Sequence, residues 1–172
     1  MQAFLLEPAG LKQFTWLLVL TVVLPALVAW GALLLAGGGM RAGLMLPMGA
    51  LFALVALVLG AAMLRQQAIV DGDALRLTSS FYSTAIPLAH LAPGARIVAA
   101  GDEVAALGLR TNGVALPGYR SGWFRGKSGR KVFAAIVGEP NLFIPTQDGH
   151  DLLLTVPDPQ AALDALRARP KT

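Results

Sequence analysis

A chain of 172 residues with 55% hydrophobic side chains is too apolar for an ordinary soluble domain, and its mean hydropathy of +0.62 is raised chiefly by residues before Arg65. It has no cysteine, which excludes disulfides, zinc–thiolate sites and thiol nucleophiles. The formal charge of +4 is too thinly spread to mark a nucleic-acid surface, so no nucleic-acid partner is expected, although it suits a domain beside anionic lipid.

Residues 1–13 contain Glu7, Pro8 and Gly10 before a lone Lys12, unlike a secretory signal, and read as the start of an uncleaved anchor. Two uncharged segments follow, Gln13 to Met40 and Ala42 to Leu64, separated only by Arg41. Each exceeds the roughly 20 apolar residues that cross a hydrocarbon core, so residues 14–64 are expected to hold two transmembrane helices, over about 14–36 and 43–64. Pro25 removes an amide near the middle of the first and predicts a kink, read either as a hinge or as a proline that membrane helices tolerate. Pro25, Ala29, Ala32 and Ala36 share one helix face, as do Gly49, Ala53, Ala56 and Gly60. Such small-residue faces either pack the helical hairpin on itself or join copies in a homo-oligomer. Neither span carries an ionisable residue, which speaks against a pore or pump. Lys12, Arg65 and Arg76 flank the outer ends while only Arg41 marks the Gly37-Gly38-Gly39 connection, so the positive-inside bias places both termini in the cytoplasm.

From residue 65 to 170 the pattern is that of one β-rich domain. Ala68–Val70 and Ala74–Thr78 flank a hairpin turn at Asp71-Gly72-Asp73, and strands are expected near Phe81–Ile86 and Arg96–Ala99. Between Gly101 and Gly118 the Ala-rich part fits a short strand or a helical turn, and Thr111-Asn112-Gly113 predicts a turn. A hairpin runs from Tyr119 to Ala135 around Gly126-Lys127-Ser128-Gly129, followed by Leu142–Thr146, a turn at Gln147-Asp148-Gly149, and Asp151–Val156. Two successive hairpins predict a meander. Asp158 then caps a helix that begins at Pro159, carries Leu163 and Leu166 on its apolar stripe, has Arg167 and Arg169 in its last turn and stops at Pro170. So short a helix needs a buried face, and the open end of the sheet can supply one.

The expected fold class is α+β: a transmembrane helical hairpin, then an antiparallel β-barrel or sandwich of about seven strands capped by a carboxy-terminal helix. Gly113, Gly118-Tyr119, Gly122-Trp123-Phe124, Phe143-Ile144-Pro145-Thr146 with Asp148-Gly149, and Leu152-Leu153-Leu154 leading into Pro157-Asp158-Pro159 carry a resemblance that spans about 69–166. The chain resembles the bacterial pleckstrin-homology-like (PH-like) domain of small membrane proteins. It departs from that pattern in its Ala-rich middle and at Leu163. The resemblance implies a fold, which does not by itself name a ligand.

No catalytic, cofactor or metal site is expected. His90 and His150 share no motif, Ser79, Ser80 and Ser83 lack a paired base, and the glycine a phosphate loop requires five residues before Gly126 is Ser121. The candidate contact residues are Arg120, Arg125, Lys127, Arg130 and Lys131, with Trp123 and Phe124 on the same hairpin. Basic groups near an anionic leaflet contribute on the order of 1 kcal/mol each, and aromatics can rest at headgroup depth. The alternative is a solvated basic hairpin with Trp123 in the core. The acidic turn at Asp71-Gly72-Asp73 does not support an inherited phosphoinositide site. Two functions follow as expectations. One is a non-catalytic interaction module at the cytoplasmic face of a bacterial inner membrane, presenting its β-domain to a protein partner. The other is an anionic-lipid-binding module that uses the hairpin around residues 119–133.

Overall fold

The computed structural model of the protein describes residues 2–4, 6–35, 45–99 and 101–167. The connection at Gly37-Gly38-Gly39, Arg41 and Ala36, and the helix-ending Arg169 and Pro170, lie outside the described residues. β1 (Gln2–Phe4) precedes the helices α1 (Leu11–Leu18), α2 (Leu24–Leu35) and α3 (Met45–Met63). The β-body follows: β2 (Gln66–Asp71), β3 (Ala74–Ser79), β4 (Tyr82–Pro87), β5 (Arg96–Ile97), β6 (Leu107–Leu116), β7 (Tyr119–Gly126), β8 (Lys131–Val137), β9 (Leu142–Ile144) and β10 (His150–Leu154). Helix α4 (Pro159–Arg167) closes the chain's described part. The α+β class and the order of helical hairpin, β-domain and final helix are as expected.

Leu11–Ala32 and Leu46–Met63 are long and apolar enough to cross a membrane, with mean hydropathies of 2.1 and 2.3. Leu27, Val28, Trp30, Leu51, Leu54 and Leu57 all face outward, where the core helix of a soluble protein would bury them. The irregularity expected at Pro25 takes a specific form. A π-helical stretch, Val19–Val23, joins α1 to α2, and the amide of Leu24 donates to the carbonyl of Val19. This wider turn lies just ahead of the proline, where the regular hydrogen-bond ladder is interrupted. Of the small residues, Gly60 marks a close approach between the helices: a Cβ there would sit 3.6 Å from the Phe14 ring and 3.8 Å from Leu17. Gly49 faces open space.

The β-body consists of two sheets. One is ordered β1-β2-β3-β4 and the other β5-β9-β10-β8-β7-β6. Alternation decides which side chains meet: Val70, Leu75, Leu77 and Ile86 of the first sheet pack on Phe133, Ala135, Ile144, Leu152 and Leu154 of the second. Ala162 and Leu163 of α4 complete this core, with Leu166 at its margin, so the helix covers the open end of the sandwich as its stripe predicts. The opposite face of the second sheet is also apolar, with Phe124, Val132, Ala134, Ile136 and Leu153 covered by Val98 and Ala105 from the segment after β5.

Four expectations are corrected. There are ten described strands rather than about seven, because β1 joins β2 in antiparallel register and the Gly101–Gly118 interval, after a single 3-10 turn at Glu103–Ala105 that meets the helical-turn alternative, continues as the long strand β6. The predicted meander and fully antiparallel barrel give way at β10, which runs parallel to β8. Val132–Ile136 and Leu152–Leu154 are the runs apolar on both faces, so they take the central positions and the three-residue β9 moves outward to pair with β5. Thr111-Asn112-Gly113 is no turn but lies inside β6. Gly113 opposes Gly122 there, and a Cβ at 113 would come within 2.5 Å of the Ser121 carbonyl oxygen. The turn comes after Leu116, at Pro117-Gly118, where glycine supplies φ +70. Residues 2–4 and 6–7, last, belong to the β-body: beyond β1, Leu6 lies in the main core and the Glu7 amide donates to the Thr155 carbonyl at 3.0 Å.

Gln66, Ser79, Tyr119 and Val137 lie at the end from which the helices leave. Within the second sheet the Gly126–Lys131 tip, with His150 opposite Lys131, lies at the other end of β7 and β8, and within the first sheet Asp71 and Ala74 lie at the other end of β2 and β3.

Candidate functional site

The β7–β8 hairpin that carries the candidate residues is built by alternation. Tyr119, Ser121 and Trp123 point toward the first sheet, and Phe124 points to the opposite face. Phe124 is only 2% exposed. Its ring belongs to the second core cluster, which corrects its place among the surface-contact residues. Trp123 is half-buried, edge-on to Phe133 at 5.0 Å and to His150 at 5.1 Å between ring centroids. Lys131 places its Nζ 4.2 Å from the Trp123 centroid, a cation–π contact that engages the ammonium locally.

Arg130 is spoken for in a different way. Its Nε donates to Asp151 Oδ2 at 2.8 Å, and one terminal nitrogen donates to Asp151 Oδ1 and to the Thr146 carbonyl, each at 3.0 Å. The Asp151 carboxylate is buried, and these bonds, with its charge, push the guanidinium pKa up. Arg130 is thus a clamp between the hairpin tip and the β9–β10 turn. Among the described residues, Arg120, Arg125 and Lys127 have no acidic partner within 4 Å. Arg125 directly opposes Lys131 across the ladder, an unfavourable like-charge pair that leaves the tip positive. Arg120 stands apart, next to Tyr119 at the helix end. The structure therefore splits the basic set in two. Arg125, Arg130 and Lys131 line an open cleft of about 560 Å³ with Thr111, Asn112 and Trp123.

Beside that cleft runs β6. Among the described residues it hydrogen-bonds to β7 on one side only and forms the edge of its sheet. Its residues Gly108 to Asn112 are exposed on both faces, Leu109 to 73%. Register shifts between Leu107 and Arg110, and again between Arg110 and Asn112, bend this half of the strand. At the far end the structure also brings together two histidines that the sequence does not connect. His90 Nδ1 lies 2.6 Å from Asp148 Oδ1, and His150 Nδ1 lies 3.3 Å from the Asp148 carbonyl oxygen. Among the described residues His150 Nε2 is enclosed without a hydrogen-bond partner. Among the described residues no group of three or more potential ligands is close enough to hold a metal ion.

A second polar constellation, at the helix end, escaped sequence reading. The Tyr119 hydroxyl is fully buried; it accepts a hydrogen bond from Gln66 Nε2 at 2.9 Å and lies 2.6 Å from Ser80 Oγ. Ser79 and Ser121 join hydroxyls at 2.8 Å. Burial raises the Tyr119 pKa above its ordinary value, against the opposing pull of the hydrogen bonds, with Ser80 foremost. Around this network Ala9, Leu17 and Met63 pack on the Tyr119 ring, and Gln13 Nε2 donates to the Gly118 carbonyl at 3.1 Å. The helices are thereby docked to the β-body rather than loosely tethered. The signal was present in principle: Ser121 occupies an inward position between Tyr119 and Trp123, where a polar side chain needs a buried partner.

No family model matches the chain, and neither the curated proteins nor the solved structures give a significant match.

Proposed function

We propose that this chain is a membrane-anchored, non-catalytic interaction module of the PH-like kind. Its two spanning helices hold the β-body at the cytoplasmic face of a bacterial inner membrane, both termini lie on that side, and the β-body presents itself to a protein partner. The free edge of β6 carries this reading. A ten-residue strand bonded on one side and exposed along its bent half offers backbone donors and acceptors to an added strand, and the adjoining cleft offers pockets for its side chains. The exposed apolar flanks of both helices support the anchor.

The lipid reading of the hairpin has less behind it. Its tip stands at the end of the β-body opposite the helices, one strand of about 23 Å away. That exceeds the roughly 8 Å over which physiological salt screens surface charge. Arg130 and Lys131 are also engaged within the protein.

Photocrosslinking residues placed at Leu109 and Asn112 on β6, and at Lys127 on the tip, test the proposal in the full-length chain in cells. A discrete adduct from the β6 positions, absent at Lys127, is the expected result. Adducts from Lys127 alone would move the partner surface to the basic tip, and lipid adducts there would favour the other reading.

A further inference from the structure

Two hairpin tips stand where the helices leave the β-body. At the β3–β4 tip the Ser80 amide donates to the carbonyl of Arg65, just past α3, at 3.0 Å. Ser80 adopts φ +54 and turns its hydroxyl inward to Tyr119, which leaves Phe81 outside and 54% exposed. At the β6–β7 tip, Pro117-Gly118, the bond from Gln13 ties the turn to the first turns of α1. Lys12, Arg65 and Arg120 surround these tips, all exposed and, among the described residues, without an acid within 4 Å. Leu11 and Leu64 stand exposed at the two helix ends, and Trp16 is exposed one turn along α1 from Lys12.

We infer that this end of the β-body is a bilayer-contact surface, with Phe81 as an aromatic anchor at headgroup depth and Lys12, Arg65 and Arg120 facing anionic lipid phosphates. Tips hydrogen-bonded to Arg65, just past α3, and to Gln13, in the first turn of α1, are held at the level where those spans meet the headgroups. Aromatic rings favour that zone and cations are drawn to it. One occupant, the leaflet the helices enter, accounts together for the exposed phenylalanine and for three cations that, among the described residues, have no acid within 4 Å. The inference rests on the spanning reading proposed above. It adds that the β-body is seated on the lipid by its helix end, so that the β6 edge and the basic tip are turned toward the cytoplasm.

The absence of native cysteine makes the test direct. Phe81→Cys, Lys127→Cys and Val28→Cys each carry one nitroxide in the full chain, reconstituted in phosphatidylcholine–phosphatidylglycerol vesicles, and collision with oxygen and with a water-soluble nickel chelate is compared. The expected result is a Val28 site closed to nickel, a Phe81 site severalfold less open to nickel than Lys127, and a Phe81 site that opens when the anionic lipid is omitted. A Phe81 site as open as Lys127 beside a closed Val28 site overturns the inference and leaves the spanning reading standing. An open Val28 site overturns the spanning reading and the inference with it. A shielded Phe81 site indifferent to lipid charge removes the three cations from the contact.

Discussion

Tyr119 shows how one side chain couples chemistry to packing. Its ring is wedged among Leu17, Met63 and Ala9, so its hydroxyl has no water to turn to and depends on Gln66 and Ser80. Because burial raises its pKa above the unfolded value, folding holds the proton more tightly. The contribution is complete below about pH 10 and is lost as pH rises through the raised folded value. Tyr119→Phe is expected to remove this alkaline loss while costing about 1 to 2 kcal/mol at neutral pH, as Gln66 and Ser80 lose their partner. Denaturation in detergent across pH 7 to 11 would show both effects. Gly122 poses the opposite problem, being crowded rather than polar: at φ +107, an added Cβ would lie 2.9 Å from the Tyr82 ring and 2.8 Å from the Gly113 Cα. Gly122→Ala should destabilise by roughly 2 kcal/mol or more, whereas Gly129→Ala, strained in φ but facing open space, should cost only about 1. Equal melting shifts for the two would show that the crowding at Gly122 is of no consequence.

Elements differ in how much of them local sequence can announce. α4 was legible because its signals are adjacent: the Ala161 amide donates to Asp158 Oδ1 at 2.9 Å, Pro159 opens the helix and Leu163 faces the core. Leu163→Ala should cost about 2 to 5 kcal/mol, read as a fall in the denaturation midpoint. The two apolar helices were legible from length alone, and Leu54, exposed midway along α3, gives the matching test. Leu54→Asp adds about 3 kcal/mol to insertion, so carbonate-resistant membrane yield should drop. The hairpins at Asp71-Gly72-Asp73 and at Gly126–Gly129 were legible from turn chemistry. The parallel pairing of β8 with β10 was not, because turn residues fix only neighbouring strands, and β10 finds its second partner through burial on both faces. β1, with three residues, carries no periodicity to detect. In the candidate site, composition found the basic hairpin but could not see that Phe124 faces the core, or that Arg130 is taken by an aspartate from another strand. Arg130→Lys should therefore behave much like Arg130→Ala. A lysine cannot reproduce the two bonds to Asp151 and the third to Thr146, and equal stability of Arg130→Lys and the unsubstituted chain in urea would refute the clamp.

At the scale of the whole molecule, the docking of the helical hairpin gives the β-body two distinct ends. Gln13, Tyr119 and the serines around it fasten one of them, while the cleft, the bent half of β6 and the basic tip gather toward the other. Position along the hairpin thus sorts residues by what they can reach: Arg120 lies beside Tyr119 at the helix end, and Lys127, seven residues on, lies at the opposite tip.

The pairing of β1 with β2 has its own effect on how the molecule is made. A ribosome finishes the first strand well before its mate exists, because α1, α2 and α3 are made between them. The earliest residues consequently wait for those helices to be completed, and the sandwich cannot close until they have been. A chain whose helices failed to return side by side would leave Leu6 stranded and β2 with a raw border, open to association with strangers.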